Sequence, residues 1–177
     1  MTEKIAVVTG AGTGVGRAAT LALMREGYTV VLAGRRKDML EQVAKEGVQT
    51  PGAALAVPTD VGDPASIKAL FAKIKETYGR LDLLFNNAGI GTPATSIEDM
   101  PLDKWNAVVA TNLTGVFLCT QEAIKIMKAQ NPRGGRIINN GSIIMRPSGC
   151  GTPAPCTMRS VSGVAALPMS IWPQQML

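Results

Sequence analysis

The sequence contains no histidine, and among its 177 residues only two Trp, two Tyr and three Phe are aromatic. Three scattered cysteines, an odd number without CxxC spacing, predict neither a metal site nor a disulfide framework. No continuous apolar run reaches the roughly 18 residues of a membrane span, and the N-terminus lacks the pattern of a signal peptide. We therefore expect a cytoplasmic protein with no membrane partner.

Acidic residues are also missing, but only from the C-terminal third. Residues 1–122 hold 12 Lys+Arg and 13 Asp+Glu (net −1), whereas residues 123–177 hold 6 Lys+Arg and no acid (net +6), which gives the total of +5. No aromatic residues interleave with the basic ones, so nucleic-acid binding is not predicted. The change in composition indicates a folded domain over 1–142 and an irregular tail over 143–177, where Pro168 and Pro173 interrupt any helix.

What the sequence does contain, up to about residue 142, is a regular alternation of strands and helices. Short apolar runs predict five buried strands: KIAVVTG (4–10), TVVLAG (29–34), ALAV (54–57), LDLLFNNAG (81–89) and GRIINNGS (135–142). Apolar residues at helical spacing predict helices between them, over 14–26, 37–46, from 64 onward, and roughly 102–130. This order predicts an α/β fold in which right-handed βαβ units build a parallel sheet between two helical layers.

A glycine-rich loop, TGAGTGVG (9–16), joins the first strand to the first helix. Glycines let the backbone turn sharply and approach a ligand, and the helix N-terminus behind them attracts an anion. In this βα context the loop predicts a dinucleotide pyrophosphate site, although a glycine-rich turn that binds nothing remains the alternative. The candidate residues are Thr9, Gly10, Gly12, Thr13, Gly14, Val15 and Gly16.

Basic residues, AGRRKD (33–38), follow the second strand, where an acidic residue would hydrogen-bond the 2′-hydroxyl of NAD. Gly34 stands in the acidic position, and Arg35 comes next. A guanidinium can pair with the 2′-phosphate of NADP through charge-assisted hydrogen bonds. The sequence therefore predicts NADP rather than NAD, and a solvated basic start to the second helix is the alternative.

The TGxxxGxG spacing of the loop, together with NNAG at 86–89, resembles the short-chain dehydrogenase/reductase family over about residues 4–142. The resemblance implies a Rossmann fold of three layers, α/β/α, with sheet order 3-2-1-4-5. The family's C-terminal strands are missing here, so the fifth strand is expected to become an open apolar edge. The implied activity is hydride transfer between NADP(H) and a small-molecule carbonyl or alcohol substrate, such as a 3-oxoacyl thioester or a ketone.

The same resemblance assigns further residues to the cofactor. The asparagines of NNAG are implied to brace the central strands, and the turn after them passes the adenosine ribose. Two residues after the third strand resemble the pair that contacts the adenine, although a plain turn residue is the alternative for Asp60. The residues implied in this way are Asp60, Val61, Asn87, Ala88 and Gly89.

The resemblance places the reaction centre at Asn112 and Ser142. Asn112 is implied to distort the long helix and hold a water that relays protons, and Ser142 to bind the substrate oxygen. A polar residue kept for packing and a plain strand-end serine are the alternatives. In the family a tyrosine, activated by a lysine four residues later, supplies the proton. Cys156 and Ser160 occupy these two positions here, and a thiol without a cationic neighbour cannot replace the pair.

These substitutions leave the activity of the chain open. A changed reading frame or alternative splice near residues 143–150, a divergent non-catalytic protein, and a site completed in another way each explain them. The functional alternatives to an oxidoreductase are a non-catalytic module that binds NADP and a structural partner that pairs its open sheet edge with another chain. The family forms homo-oligomers through a helix that the altered tail disrupts, so the oligomeric state is not predicted.

Overall fold

Five parallel strands form the centre of the computed structural model, which describes residues 3–93, 95–141 and 165–166. These strands are β1 Lys4–Thr9, β2 Tyr28–Gly34, β3 Ala54–Pro58, β4 Leu83–Asn86 and β5 Arg136–Asn139. They pair in the order β3-β2-β1-β4-β5, with Val7 of β1 opposite Val31 on one side and Leu84 on the other. The predicted parallel sheet and its strand order are confirmed.

Helices follow the strands as the apolar spacing predicted. They are α1 Gly14–Arg25, α2 Lys37–Glu46, α3 Pro64–Tyr78, α4 Leu102–Val109 and α5 Val116–Ala129. Local signals set the ends of α3, because the Asp63 carboxylate accepts hydrogen bonds from two first-turn amides and Gly79 closes the helix at φ 65°. The predicted long helix over 102–130 is α4 and α5 joined by a π-helical segment, Ala110–Gly115.

Two hydrophobic cores lie on opposite faces of the sheet because successive strand residues point to opposite sides. Ile5 and Val7 pack with α3 and α5 in one core. Ala6 and Val8 pack with α1 and α2 in the other core. The helices therefore form two layers around the sheet, which confirms the α/β/α Rossmann architecture.

A sixth strand, β6 Ala165–Ala166, corrects the expected bare edge of β5. Its two residues pair antiparallel with Ile138 and Asn139, so part of the tail joins the sheet. An edge strand offers a row of free amide and carbonyl groups, and any extended segment within reach can pair with them. The tail was expected to be irregular because of its prolines, and that pattern did not reveal this short pairing.

One helical stretch, Leu102–Ala129, is long and apolar enough to cross a membrane by length and composition alone, with a mean hydropathy of 1.2 in its most apolar window. The stretch is not a continuous apolar run, because polar residues such as Asn112, Gln121 and Glu122 interrupt it. The stretch includes Cys119, Ala123 and Met127, which are buried in the core beneath the sheet. Core helices of globular proteins have the same length and composition, so these two properties do not distinguish a membrane-spanning helix from a core helix.

Candidate functional site

A cavity of about 590 Å³ lies where the loops after β1, β2, β3 and β4 meet. These loops leave the carboxyl ends of parallel strands, which is where open α/β sheets bind ligands. The volume falls within the usual range of small-molecule sites. Each loop contributes polar groups to the walls of the cavity.

The loop after β1 approaches the neighbouring backbone closely at two of its glycines, Gly10 and Gly16. A Cβ atom at Gly16 would lie 2.2 Å from the Gly10 carbonyl oxygen, so α1 packs directly on the end of β1. Gly10 itself has φ 65°, a backbone conformation that glycine adopts without strain. Thr13, in the capping position of α1, forms no side-chain hydrogen bond to the first turn. Within the described residues, the amides of that turn are therefore available to an anionic group.

The loop after β4 is held to β1 by Thr9. The Thr9 Oγ1 accepts hydrogen bonds from the Asn87 amide at 2.9 Å and the Ala88 amide at 3.0 Å. The Asn87 Nδ2 donates to the Thr9 carbonyl at 3.0 Å, and the Asn86 Nδ2 donates to the Asn139 Oδ1 of β5 at 2.9 Å. The expectation that the asparagines of NNAG brace the central strands is confirmed.

Asn112 fixes the next part of the same loop from the π-helical segment. Its Oδ1 accepts from the Ile90 amide at 2.9 Å, and its Nδ2 donates to the Ile90 carbonyl at 2.8 Å. The local distortion expected of the helix at Asn112 is confirmed, since residues 110–115 are π-helical. Both polar groups of this side chain hold the loop, and its part in a proton relay stays a prediction.

The loop after β2 brings two guanidinium groups to the cavity. Gly34, Arg35 and Arg36 all line it. In the part of the chain that the structure describes, no carboxylate forms an ion pair with either arginine. This wall can therefore pair with a phosphate, and it presents no acid that would repel one.

Asp60 shapes the loop after β3. Its Oδ1 accepts from the Gly62 amide at 2.8 Å, and its own amide donates to the Ser66 Oγ at 3.0 Å. Asp60 and Val61 both line the cavity. Asp60 therefore has the turn role that the sequence left open, and it lines the cavity as well.

Among the described residues, the groups whose pKa is clearly shifted lie away from the cavity. Burial raises the pKa of the Cys119 thiol to about 12. Burial would also raise the pKa of Asp82, but hydrogen bonds from Arg80 and from the Ile5 amide, with the Arg80 and Lys4 charges, hold it below its usual value. The Arg80–Asp82 pair thus ties β1 to β4 at the amino end of the sheet.

The family model of the short chain dehydrogenases matches residues 4–154. The chain belongs to the short-chain dehydrogenase family. The match is slightly longer than the resemblance over 4–142, and it ends before Cys156 and Ser160.

Similar proteins are dehydrogenases and reductases, which is consistent with this family. A 3beta-hydroxysteroid dehydrogenase of Mediterraneibacter gnavus is 39% identical over 141 residues, which are 80% of this chain and 50% of that protein. A 3-oxoacyl-[acyl-carrier-protein] reductase of Thermotoga maritima is 38% identical over 141 residues, 80% of this chain and 56% of that protein. A metagenomic short-chain oxidoreductase solved in complex with NADP has a TM-score of 0.75 and 34% identity, covering 80% of this chain and 63% of that one. The chain thus spans about half to three-fifths of the length of these relatives.

The structure gathers most of the family residues expected at the cofactor. Gly10, Gly12, Thr13, Arg35, Asp60, Val61, Asn87, Ala88 and Gly89 line the cavity. Thr9 and Gly16 are buried behind the lining, whereas Gly14 and Val15 are exposed at the start of α1. Ser142, Cys156 and Ser160 lie outside the described residues.

Several lining residues of this family member were not anticipated from the sequence. They are Arg36, Met39, Leu40, Thr59, Ile90 and Thr111. Arg36, Thr59, Ile90 and Thr111 directly neighbour predicted residues in the sequence. Met39 and Leu40 reach the cavity from α2, and no local motif marks them.

Proposed function

We propose that the cavity binds NADP(H), with NAD(H) as the weaker ligand. The observation that carries the proposal is the wall formed by Gly34, Arg35 and Arg36, which offers two guanidinium groups and no carboxylate. The bare glycine loop and the uncapped N-terminus of α1 fit the pyrophosphate that such a ligand carries. One related structure was solved with NADP, which supports the same cofactor here.

Each loop then has a part in holding the cofactor. Gly10, Gly12 and Thr13 hold the pyrophosphate, with Gly14, Val15 and Gly16 giving the turn into α1. Arg35 pairs with the 2′-phosphate, and Arg36 adds a second positive charge. Asp60 and Val61 contact the adenine, and the turn of Asn87, Ala88 and Gly89 passes the ribose. NADP(H), when bound, supplies or accepts the hydride.

The reaction class that we propose is hydride transfer between NADP(H) and a carbonyl or alcohol substrate. A hydroxysteroid dehydrogenase and a 3-oxoacyl reductase are both related to this chain, and they share that reaction type while their substrates differ. Ser142 would bind the substrate oxygen. Asn112 would take part in the proton relay, and its hydrogen bonds with the Ile90 backbone would fix its side chain there. The substrate class that we propose is a ketone or a 3-oxoacyl thioester.

We further propose that this chain turns substrates over negligibly. The positions that hold tyrosine and lysine in the family carry Cys156 and Ser160. Loss of the general acid costs roughly 10²–10⁴ in rate. The missing ammonium also removes an anchor for the nicotinamide ribose, so cofactor binding should be weaker than in a complete family member. A non-catalytic NADP-binding module is the second candidate, and these two positions favour it.

The cofactor assignment is tested with Arg35→Asp and a matched control. Arg35→Asp should weaken NADPH binding about tenfold to a hundredfold, because a charge-assisted hydrogen bond contributes about 1.5–3 kcal/mol. Arg133→Asp makes the same charge change at an exposed residue before the start of β5, at the opposite edge of the sheet, and should leave binding unchanged. If both variants lost the same affinity for NADPH, or if Arg35→Asp lost none, the assignment of Arg35 to the cofactor site would be wrong.

The catalytic assignment is tested by NADPH oxidation with a panel of ketones. The chain as it stands is compared with a version that carries a complete family-like C-terminal part. We expect cofactor binding by both proteins and turnover by the second alone. Comparable turnover would show that Cys156 or another group supplies the proton.

A further inference from the structure

The π-helical segment Ala110–Gly115 contacts two loops that form different walls of the cavity. Asn112 is hydrogen-bonded through both side-chain polar groups to Ile90 in the loop after β4. Thr111 and Gly115 lie against the loop after β3. One short segment therefore fixes the relative position of the loops after β3 and β4. Such π-helical insertions are frequent at functional sites.

The contact of Gly115 with the loop after β3 leaves no space for a side chain. Gly115 is buried, and a Cβ atom added to it would lie 2.3 Å from the Val61 carbonyl oxygen and 3.1 Å from the Val61 carbonyl carbon. Ordinary contact would require the Val61 peptide or the π-helical segment to move by roughly 1 Å. Backbone meets backbone here, so no side-chain rotation can relieve the overlap.

The loop after β3 has little freedom to absorb such a movement. The Gly62 amide donates to the Asp60 Oδ1 at 2.8 Å, and the Asp63 amide donates to the Asp60 carbonyl at 3.1 Å. A Cβ atom at Gly62 would lie 3.3 Å from the Thr111 Oγ1 and 3.2 Å from the Asp60 Oδ1. The turn is thus packed between its own carboxylate and the π-helical segment, and a shift of Val61 must disturb Asp60 as well.

We propose that Gly115 is a positioning residue of the cofactor cavity. Its bare Cα lets the π-helical segment dock on the Val61 carbonyl, and this contact sets the place of Asp60 and Val61 opposite the loop that Asn112 holds. The inference rests on the proposed function, in which Asp60 and Val61 contact the adenine. Gly115 touches no ligand itself and acts through Val61.

The test uses the full chain with Gly115→Ala and, as a control, Gly91→Ala, where the added methyl group meets open space. Two quantities are measured: the exchange rates of the Gly62 and Asp63 amide hydrogens without ligand, and the dissociation constant of 2′,5′-ADP. Gly115→Ala should speed both exchange rates several-fold and weaken 2′,5′-ADP binding about tenfold, while the Ile90 amide keeps its rate. Gly91→Ala should change neither quantity.

Unchanged exchange at Gly62 and Asp63 together with unchanged 2′,5′-ADP affinity in Gly115→Ala would overturn the inference. Uniformly faster exchange over the whole sheet would also overturn it, because Gly115 would then serve general stability. If the parent chain fails to bind 2′,5′-ADP, the proposed function is wrong, and the exchange rates still decide whether Gly115 positions the loop.

A second variant approaches the same contact from the other side, in case Gly115→Ala does not fold. Gly62→Ala adds a methyl group 3.2 Å from the Asp60 Oδ1 and 3.3 Å from the Thr111 Oγ1, a milder overlap, and it should weaken 2′,5′-ADP binding less than tenfold. Adding Thr111→Ala removes the opposing side chain and should recover part of the affinity. No recovery in the double variant would show that the π-helical segment does not position this loop.

Discussion

Replacing Thr9 with valine should destabilise the fold and loosen the wall of the cavity formed by the NNAG turn. Thr9 is only 2% exposed, and its Oγ1 accepts from the amides of Asn87 and Ala88 at 2.9 and 3.0 Å. Valine has nearly the same shape but no acceptor, so two amides would lose their partner in a largely buried place. At about 1–3 kcal/mol for each of the two unsatisfied amides, we expect a loss of roughly 2–6 kcal/mol in the free energy of unfolding.

Urea unfolding followed by circular dichroism measures this loss, and Thr20→Val provides the matched control. Thr20 is fully buried, and its Oγ1 donates to the Gly16 carbonyl at 2.8 Å. That carbonyl keeps its helical hydrogen bond in the variant, so the loss should be only about 1 kcal/mol. If Thr9→Val were no more destabilising than Thr20→Val, the hydroxyl of Thr9 would not be what fixes the turn.

Three further changes test other parts of the molecule. Gly14→Ala and Gly27→Ala both place a side chain at positive φ in open space, so both should lose similar stability, about 1 kcal/mol, while only Gly14→Ala weakens NADPH binding in a fluorescence titration. Asp82→Asn should lower the free energy of unfolding at neutral pH, and the difference should vanish as the pH falls through the lowered pKa of Asp82, below its ordinary 3.8, because protonation then removes the same interaction with Arg80. A difference that persists in acid would exclude this carboxylate as the cause. Cys119, with its pKa raised to about 12, should react with a maleimide only after unfolding, as mapped by mass spectrometry.

Most of the fold could be predicted because its signals are local. Buried strands such as 29–34 are short continuous apolar runs, whereas the apolar residues of α3 recur every three or four residues, so element type and order follow from the sequence. The glycines and basic residues at the strand ends likewise indicate where a phosphate-containing ligand would bind. Strand ends were less certain: LDLLFNNAG suggested a strand over 81–89, whereas β4 is Leu83–Asn86. The residues after β4 leave the sheet because the amides of Asn87 and Ala88 donate to the Thr9 Oγ1 and not to a neighbouring strand.

What could not be predicted depends on contacts between distant parts of the chain. Thr111 faces the cavity only because the π-helical segment docks on the loop after β3, and Leu40 reaches it only through the packing of α2. The pairing of Ala165–Ala166 with β5 depends on an open edge and not on any pattern in those two residues. Such features follow from the assembled fold, and no window of neighbouring residues encodes them.

The most direct measurement is a titration of the full chain with NADPH and with NADH, followed by protein-enhanced cofactor fluorescence. We expect saturable binding of NADPH, at one site, about tenfold or more tighter than that of NADH, because only NADPH carries the phosphate that Arg35 can pair with. Binding that favours NADH, or no binding of NADPH at any concentration reached, would contradict the assignment of this cavity to NADP(H).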